Sequence, residues 1–151
     1  MIMTATLRHG VAPRALESGS DADLRRAASA QHNMLLEGAA ASIETALQLL
    51  APCLRQPVTW NGRACALVLP ADKGGTLIVQ NIALLDGEDQ LRLRVWLNDP
   101  ARRTQVVSTT TYPLFPLVDC GVFDATLFYR LNVVQFSVGQ NERDMTRATG
   151  N

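Results

Sequence analysis

The sequence predicts an α+β fold, with an N-terminal amphipathic helix packed on an antiparallel β-meander that forms a sandwich or small barrel of about six strands. Three observations predict it. Apolar residues recur at spacings of three, four and seven upstream of Pro52. From Pro57 onward the apolar period falls to two, with turn signals at intervals of about ten residues. Between the first two of those short runs, Asn61-Gly62 supplies the two residues that tolerate the positive φ of a type I′ hairpin turn.

A chain of 151 residues fits one domain, because two cores would each bury too little surface to offset the entropy of ordering them. Residues 1–19 mix isolated apolar residues with Gly10, Pro13, Ser18 and Gly19 and show no sustained period, so they are read as a flexible arm. Residues 20–139 form the helix-plus-β domain, and the polar residues 140–151 are read as a flexible tail.

Ser20 followed by Asp23 marks a helix start, where free amides and the helix dipole favour an acid. Leu24, Ala28, Leu35, Ala39, Ile43, Ala46 and Leu50 then share one face of a helix from about Asp21 to Leu50, and Pro52 ends it. At 1.5 Å per residue that helix is roughly 45 Å long. A domain of this size is only about 35–40 Å across. Either the helix breaks near Gly38 or its overhang finds cover on another chain.

The β region follows turn by turn. Val58-Thr59-Trp60 turns through Asn61-Gly62 into Arg63–Leu69. Thr76–Leu85 lies between Lys73-Gly74-Gly75 and Asp86-Gly87-Glu88-Asp89 and is apolar on both faces, as a central strand is. Leu91, Leu93, Val95 and Leu97 alternate with Arg92, Arg94 and Trp96, which predicts a half-exposed strand. Thr104–Thr111 is β-branched but short of large apolar residues and is placed at an edge. The prolines of Tyr112–Leu117 make it a loop. In Ala125–Val138 the buried parity switches near Val133, which predicts a bulged or corner-turning strand.

Composition narrows the function classes. Lys plus Arg equals Asp plus Glu at 14 each, so the long-range field that draws in nucleic acid is missing and DNA or RNA is not the expected partner. Cys53, Cys65 and Cys120 show no CxxC spacing and are read as reduced thiols rather than zinc ligands. No run approaches the ~20 apolar residues of a membrane span, and Arg8, His9 and Arg14 interrupt any signal-like core. The expected location is the cytoplasm, or a particle assembled there.

Constellations that carry chemistry are sparse. His9 and His32 have no nucleophile motif beside them. Asp86, Glu88 and Asp89 lack EF-hand spacing and read as a solvated turn. Asp119 and Asp124 flank Cys120 and form a paired-acid candidate, although their ordinary role is to accept backbone hydrogen bonds in a turn. Gly38 and Gly74-Gly75 belong to no GxxxxGK[ST] or GxGxxG pattern, so nucleotide binding is not expected. Trp60, Trp96 and Tyr129 with Arg92 and Arg94 read as packing rather than as a base-stacking surface. No metal and no cofactor are expected.

The helix, the proline-bounded loop, the arm and the aromatic outer face leave surface that a monomer covers poorly, which predicts protein partners and a homo-oligomer or larger assembly. The expected partner-binding residues are Leu35, Ala39, Ile43, Trp96, Tyr112, Leu114, Phe115 and Leu117. A helix followed by a meander with an Asn-Gly hairpin, over about Ser20 to Val138, is similar to small assembly proteins of tailed bacteriophages, such as capsid-cementing or head-to-tail completion subunits. The resemblance implies a non-enzymatic structural or assembly subunit of a virion. The alternatives are a peptide-binding module or secretion chaperone using the Thr104–Thr111 edge, and a small enzyme with a cleft near Asp119 and Asp124.

Overall fold

Seven strands form one sheet in the computed structural model, which describes residues 3–9, 11–19, 21–62 and 66–139. In chain order the elements are β1 (Met3–His9), β2 (Val11–Gly19), α1 (Asp21–Ser29), β3 (Met34–Gly38), α2 (Ala40–Leu50), β4 (Val58–Asn61) and β5 (Thr76–Val79). They continue with α3 (Gly87–Leu97), β6 (Gln105–Thr110), α4 (Phe115–Asp119), α5 (Ala125–Leu131) and β7 (Val134–Val138). The strand order is β2-β1-β7-β3-β6-β5-β4. Strands β7, β3, β6, β5 and β4 are mutually parallel, and the β1–β2 hairpin adds to β7 antiparallel.

This is a parallel α/β fold, and the expected antiparallel sandwich or barrel is overturned. A parallel pair cannot be closed by a two-residue turn and needs a crossover; α2 lies on the way from β3 to β4, α3 from β5 to β6, and α4 and α5 from β6 to β7. Leu24 and Ala28 of α1 and Ile43, Ala46, Leu47 and Leu50 of α2 cover Met34, Leu36, Ile78, Val107 and Phe136 on one face. On the other face, Leu93 of α3 and Leu127, Phe128 and Leu131 of α5 cover Leu35, Leu77, Val79 and Val106. Each of the larger side chains contributes roughly 1.5–3 kcal/mol by leaving water, and each alanine about 0.8 kcal/mol.

The single helix from Asp21 to Leu50 is replaced by a helix, a strand and a helix. Met34, Leu35 and Leu36 are all buried, and three consecutive buried residues fit a strand covered on both faces rather than one helical stripe. Gln31 at φ 60 turns the chain out of α1. The spacing of seven from Ala28 to Leu35 therefore joins residues of two elements, and the 45 Å overhang disappears with the helix.

The expected hairpin at Asn61-Gly62 is also absent, because β4 pairs parallel with β5. Asn61 is buried, and its amide both donates to the Val68 carbonyl (2.9 Å) and accepts from the Val68 N–H (2.7 Å). The side chain thus imitates one rung of a ladder toward residues 66–69, which are not a strand. Residues 63–65 lie outside the described residues.

The expected strand over Leu91–Leu97 is the helix α3. Asp86 caps it by accepting from the Asp89 N–H at 2.8 Å. Gln90 and Leu93 are its buried positions, whereas Leu91 and Val95 of the alternating set are 50% and 60% exposed.

Thr104–Thr111, placed at an edge from sequence, contains β6, which lies between β3 and β5 and is buried at all six residues. Its Ser and Thr side chains are small enough to sit beneath covering helices on both faces. Tyr112–Leu117 runs into the short helix α4. The parity switch near Val133 is the change from α5 to β7, not a bulge within a strand. The expected tail over residues 140–151 lies outside the described residues.

Candidate functional site

The two chain crossings from the middle of the sheet run in opposite directions. From β3 the chain passes through α2, on the α1 face, to β4 at one end of the parallel set. From β6 it passes through α5, on the other face, to β7 at the opposite side of β3. Adjacent strands whose connections diverge in this way leave a crevice beyond their C-terminal ends, the usual ligand position in open α/β sheets.

A cavity of about 600 Å³ occupies that position. Successive turns of α2 supply Ala40, Glu44 and Leu47 on one wall, with Ala51 at its C-cap, β4 supplies Trp60, and the ends of β5 and β6 supply Gln80, Asn81 and Thr109. Trp60 is 51% exposed, so its ring is open to a ligand. Asn81 has left-handed φ and ψ (52° and 55°), and its N–H donates to the buried Thr109 hydroxyl at 3.1 Å, which fixes the chain as it leaves β5. Among the described residues the lining holds one carboxylate, Glu44, and neither lysine nor arginine.

The turn that enters α2 is unusually closed. Only Ala39 separates the last residue of β3, Gly38, from the first of α2. A side chain at Gly38 would overlap the Val138 carbonyl oxygen, and one at Gly139 would overlap the Ser42 hydroxyl. The exit of β7 therefore lies directly against the β3–α2 connection.

Counted from Gly38, the phosphate-loop pattern GxxxxGK[ST] meets Ile43 at its second glycine, Glu44 at its lysine and Thr45 at its hydroxyl residue. The strand–turn–helix setting of that pattern is present, and its cation is replaced by an acid. Sequence reasoning missed this site because it sought the intact pattern. The signal was Gly38 at a strand end, with a charged residue six positions on.

The residues expected to bind partners are dispersed. Leu35 and Leu114 are buried in the α3–α5 core, and Ile43 is buried beside the cavity. Ala39 is exposed at the N-cap of α2. The Trp96 indole donates to the Pro70 carbonyl at 3.0 Å and lies 3.7 Å beneath the Arg102 guanidinium. Leu117 packs on the α3–α5 core, while Phe115 and Tyr112 are 49% and 66% exposed. Tyr112 lines a smaller cavity of about 260 Å³ that shares Ala40 and Asn81 with the main one.

The chemical candidates take structural roles. Asp124 caps α5 and pairs with Arg94 at 2.9 Å, and Asp119 is exposed at the end of α4. Asp89 pairs with Arg92 at 2.8 Å within α3. His32 is exposed. Among the described residues no helix is long and apolar enough to cross a membrane.

The family model for the Sigma-54 interaction domain matches residues 24–140. Among solved structures, NtrX from Brucella abortus in complex with ADP is similar at 19% identity and a TM-score of 0.60, covering 76% of this chain and 33% of that one. Its complex with ATP is similar at 18% identity and a TM-score of 0.61, covering 76% and 35%. A third NtrX structure gives 16%, 0.61, 77% and 35%. The chain thus spans about a third of the length of the NtrX chains it matches. No curated protein sequence matches it.

These findings overturn the expected non-enzymatic structural or assembly subunit and its bacteriophage virion setting: the chain has a parallel α/β fold similar to that of NtrX and matches the Sigma-54 interaction domain model. The peptide-binding edge falls as well, since β6 is interior. The expectation that the chain is no enzyme loses its ground on the same likeness, because two of the NtrX structures are complexes with ADP and ATP.

Proposed function

We propose, from the premise that this chain belongs to the Sigma-54 interaction domain family, that it is a regulatory domain that contacts sigma-54 and responds to a nucleotide held in the α2 cavity. The observation that carries the reading is the cavity of about 600 Å³ at the divergence of the β3 and β6 connections. NtrX, which shares the fold, forms complexes with ADP and with ATP. Ligand pockets of roughly 300–1,000 Å³ take molecules of nucleotide size. Protein contact with sigma-54 follows the family's description.

The chemistry open to a bound triphosphate depends on charge. Phosphoryl transfer needs cations or a metal to stabilise the equatorial oxygens. Among the described residues the lining offers Glu44 but no cation, so turnover requires that charge from outside the described wall, as when a partner inserts an arginine.

Calorimetric titration of the chain with ADP and ATP, together with sigma-54 affinity measured with and without nucleotide, tests the reading. The expected result is saturable binding of one nucleotide per chain and a change in sigma-54 affinity. Absence of binding at about 1 mM nucleotide, where even a Kd of that order is detectable, removes it.

A further inference from the structure

Resting on that reading, we infer that the α2 cavity recognises the base and sugar of its nucleotide and leaves the phosphates to solvent, so that a nucleoside binds as tightly as its di- and triphosphate. Three observations argue against a phosphate grip. Glu44 stands at the lysine position counted from Gly38, and a carboxylate at contact distance opposes a phosphate. The Val138 carbonyl is packed against Gly38, so an acceptor lies beside the turn where phosphate oxygens need donors. Among the described residues at the end of β5, Gln80 and Asn81 carry neutral amides, with no carboxylate there of the kind that anchors a nucleotide-bound magnesium ion.

The same lining suits a ring and its sugar. The half-exposed Trp60 ring offers a stacking face, and Leu47 an apolar one. Gln48, Gln80 and Asn81 each combine a donor and an acceptor on one planar amide, the arrangement that reads the edge of a purine. Glu44, unfavourable for phosphate, accepts hydrogen bonds from ribose hydroxyls, a role acids fill in other α/β nucleotide sites.

The test is calorimetry of the full chain with adenosine, AMP, ADP and ATP, each with and without magnesium. The expected dissociation constants agree within about threefold, with no magnesium effect. Glu44→Lys, an exposed substitution that restores the cation of the pattern, is expected to favour ATP over adenosine by about tenfold or more. Trp60→Ala is expected to weaken all four ligands about tenfold with the melting temperature unchanged. If the wild-type chain binds ATP at least about tenfold tighter than adenosine, the inference is overturned while the nucleotide-responsive reading stands. If Trp60→Ala leaves all four affinities unchanged, the stacking site is overturned. Failure of every ligand to bind overturns both readings.

Discussion

The side-chain oxygen of Gln90 accepts the backbone N–H of Asp124 at 2.8 Å, while the Asp124 carboxylate meets Arg94, one turn further along α3, at 2.9 Å. Asp124 also accepts from the Leu127 N–H at 2.8 Å. One residue therefore starts α5 and ties it to α3.

Substituting Asp124 separates these roles. Asp124→Asn keeps the cap and removes the ion pair, whose partners are both about a third exposed (34% and 31%), so the expected loss is under about 1 kcal/mol. Asp124→Ala removes both and is expected to cost about 1–2.5 kcal/mol. Urea denaturation of the two variants checks this; equal losses would place the stabilisation in the ion pair alone.

Asn61 closes on the Val68 backbone through two hydrogen bonds. Asn61→Ala leaves that peptide's N–H and C=O without their amide partner, with an expected cost of about 1–3 kcal/mol. Proteolysis near residues 66–69 is the sensitive readout, because a freed segment is cut well before the domain melts. An unchanged digestion rate would show that the bracket does not hold the segment.

Ser108 is fully buried on β6, and among the described residues its hydroxyl oxygen has no hydrogen-bond partner. Ser108→Ala removes a desolvated polar atom at almost constant volume, so stability is expected to stay level or rise by up to about 1 kcal/mol. A fall of more than that on thermal or chemical denaturation contradicts the assignment.

The Ala101 N–H donated to Asp99, with the Lys73 and Arg102 charges nearby, holds its carboxyl below the ordinary carboxylate value. A depressed folded-state value means that the stabilisation is present above the unfolded-state value and is lost as pH falls through the folded one. Asp99→Asn is therefore expected to lower stability slightly at neutral pH and to flatten the acid limb of the stability profile, the two proteins converging at low pH. An acid limb as steep as that of the wild type would count against this account.

Some of the fold was legible from sequence. The helix start at Asp21 and the doubly covered run from Thr76 follow from an acidic first turn and two-faced apolarity, and both stand in the structure, although that strand ends at Val79 rather than Leu85 and Gly38 ends β3 instead of breaking a helix. What misled was periodicity in short elements. Leu91, Leu93, Val95 and Leu97 alternate like a strand, yet only Leu93 among them is buried, and the Asp86 cap decides for a helix. Met34–Leu36 fitted a helical stripe because the apolar positions of its neighbours lay in phase with it. Direction was beyond local signals altogether, since nothing within β3 states that its partners are β6 and β7. The cavity was hidden for a related reason: Glu44, Gln80 and Asn81 meet only after two crossovers bring α2 over the end of β5.

The position of β3 also bears on how the chain is made. Met34 lies beside Val107 on one side and Val134 on the other. During translation, both edges of this greasy segment stay bare until stretches far downstream have cleared the ribosome, and the pairing entropy of such distant strands slows their closure. Until residues 105–110 and 134–138 have been made, Met34–Leu36 is an adhesive apolar segment of the kind that chaperones shield.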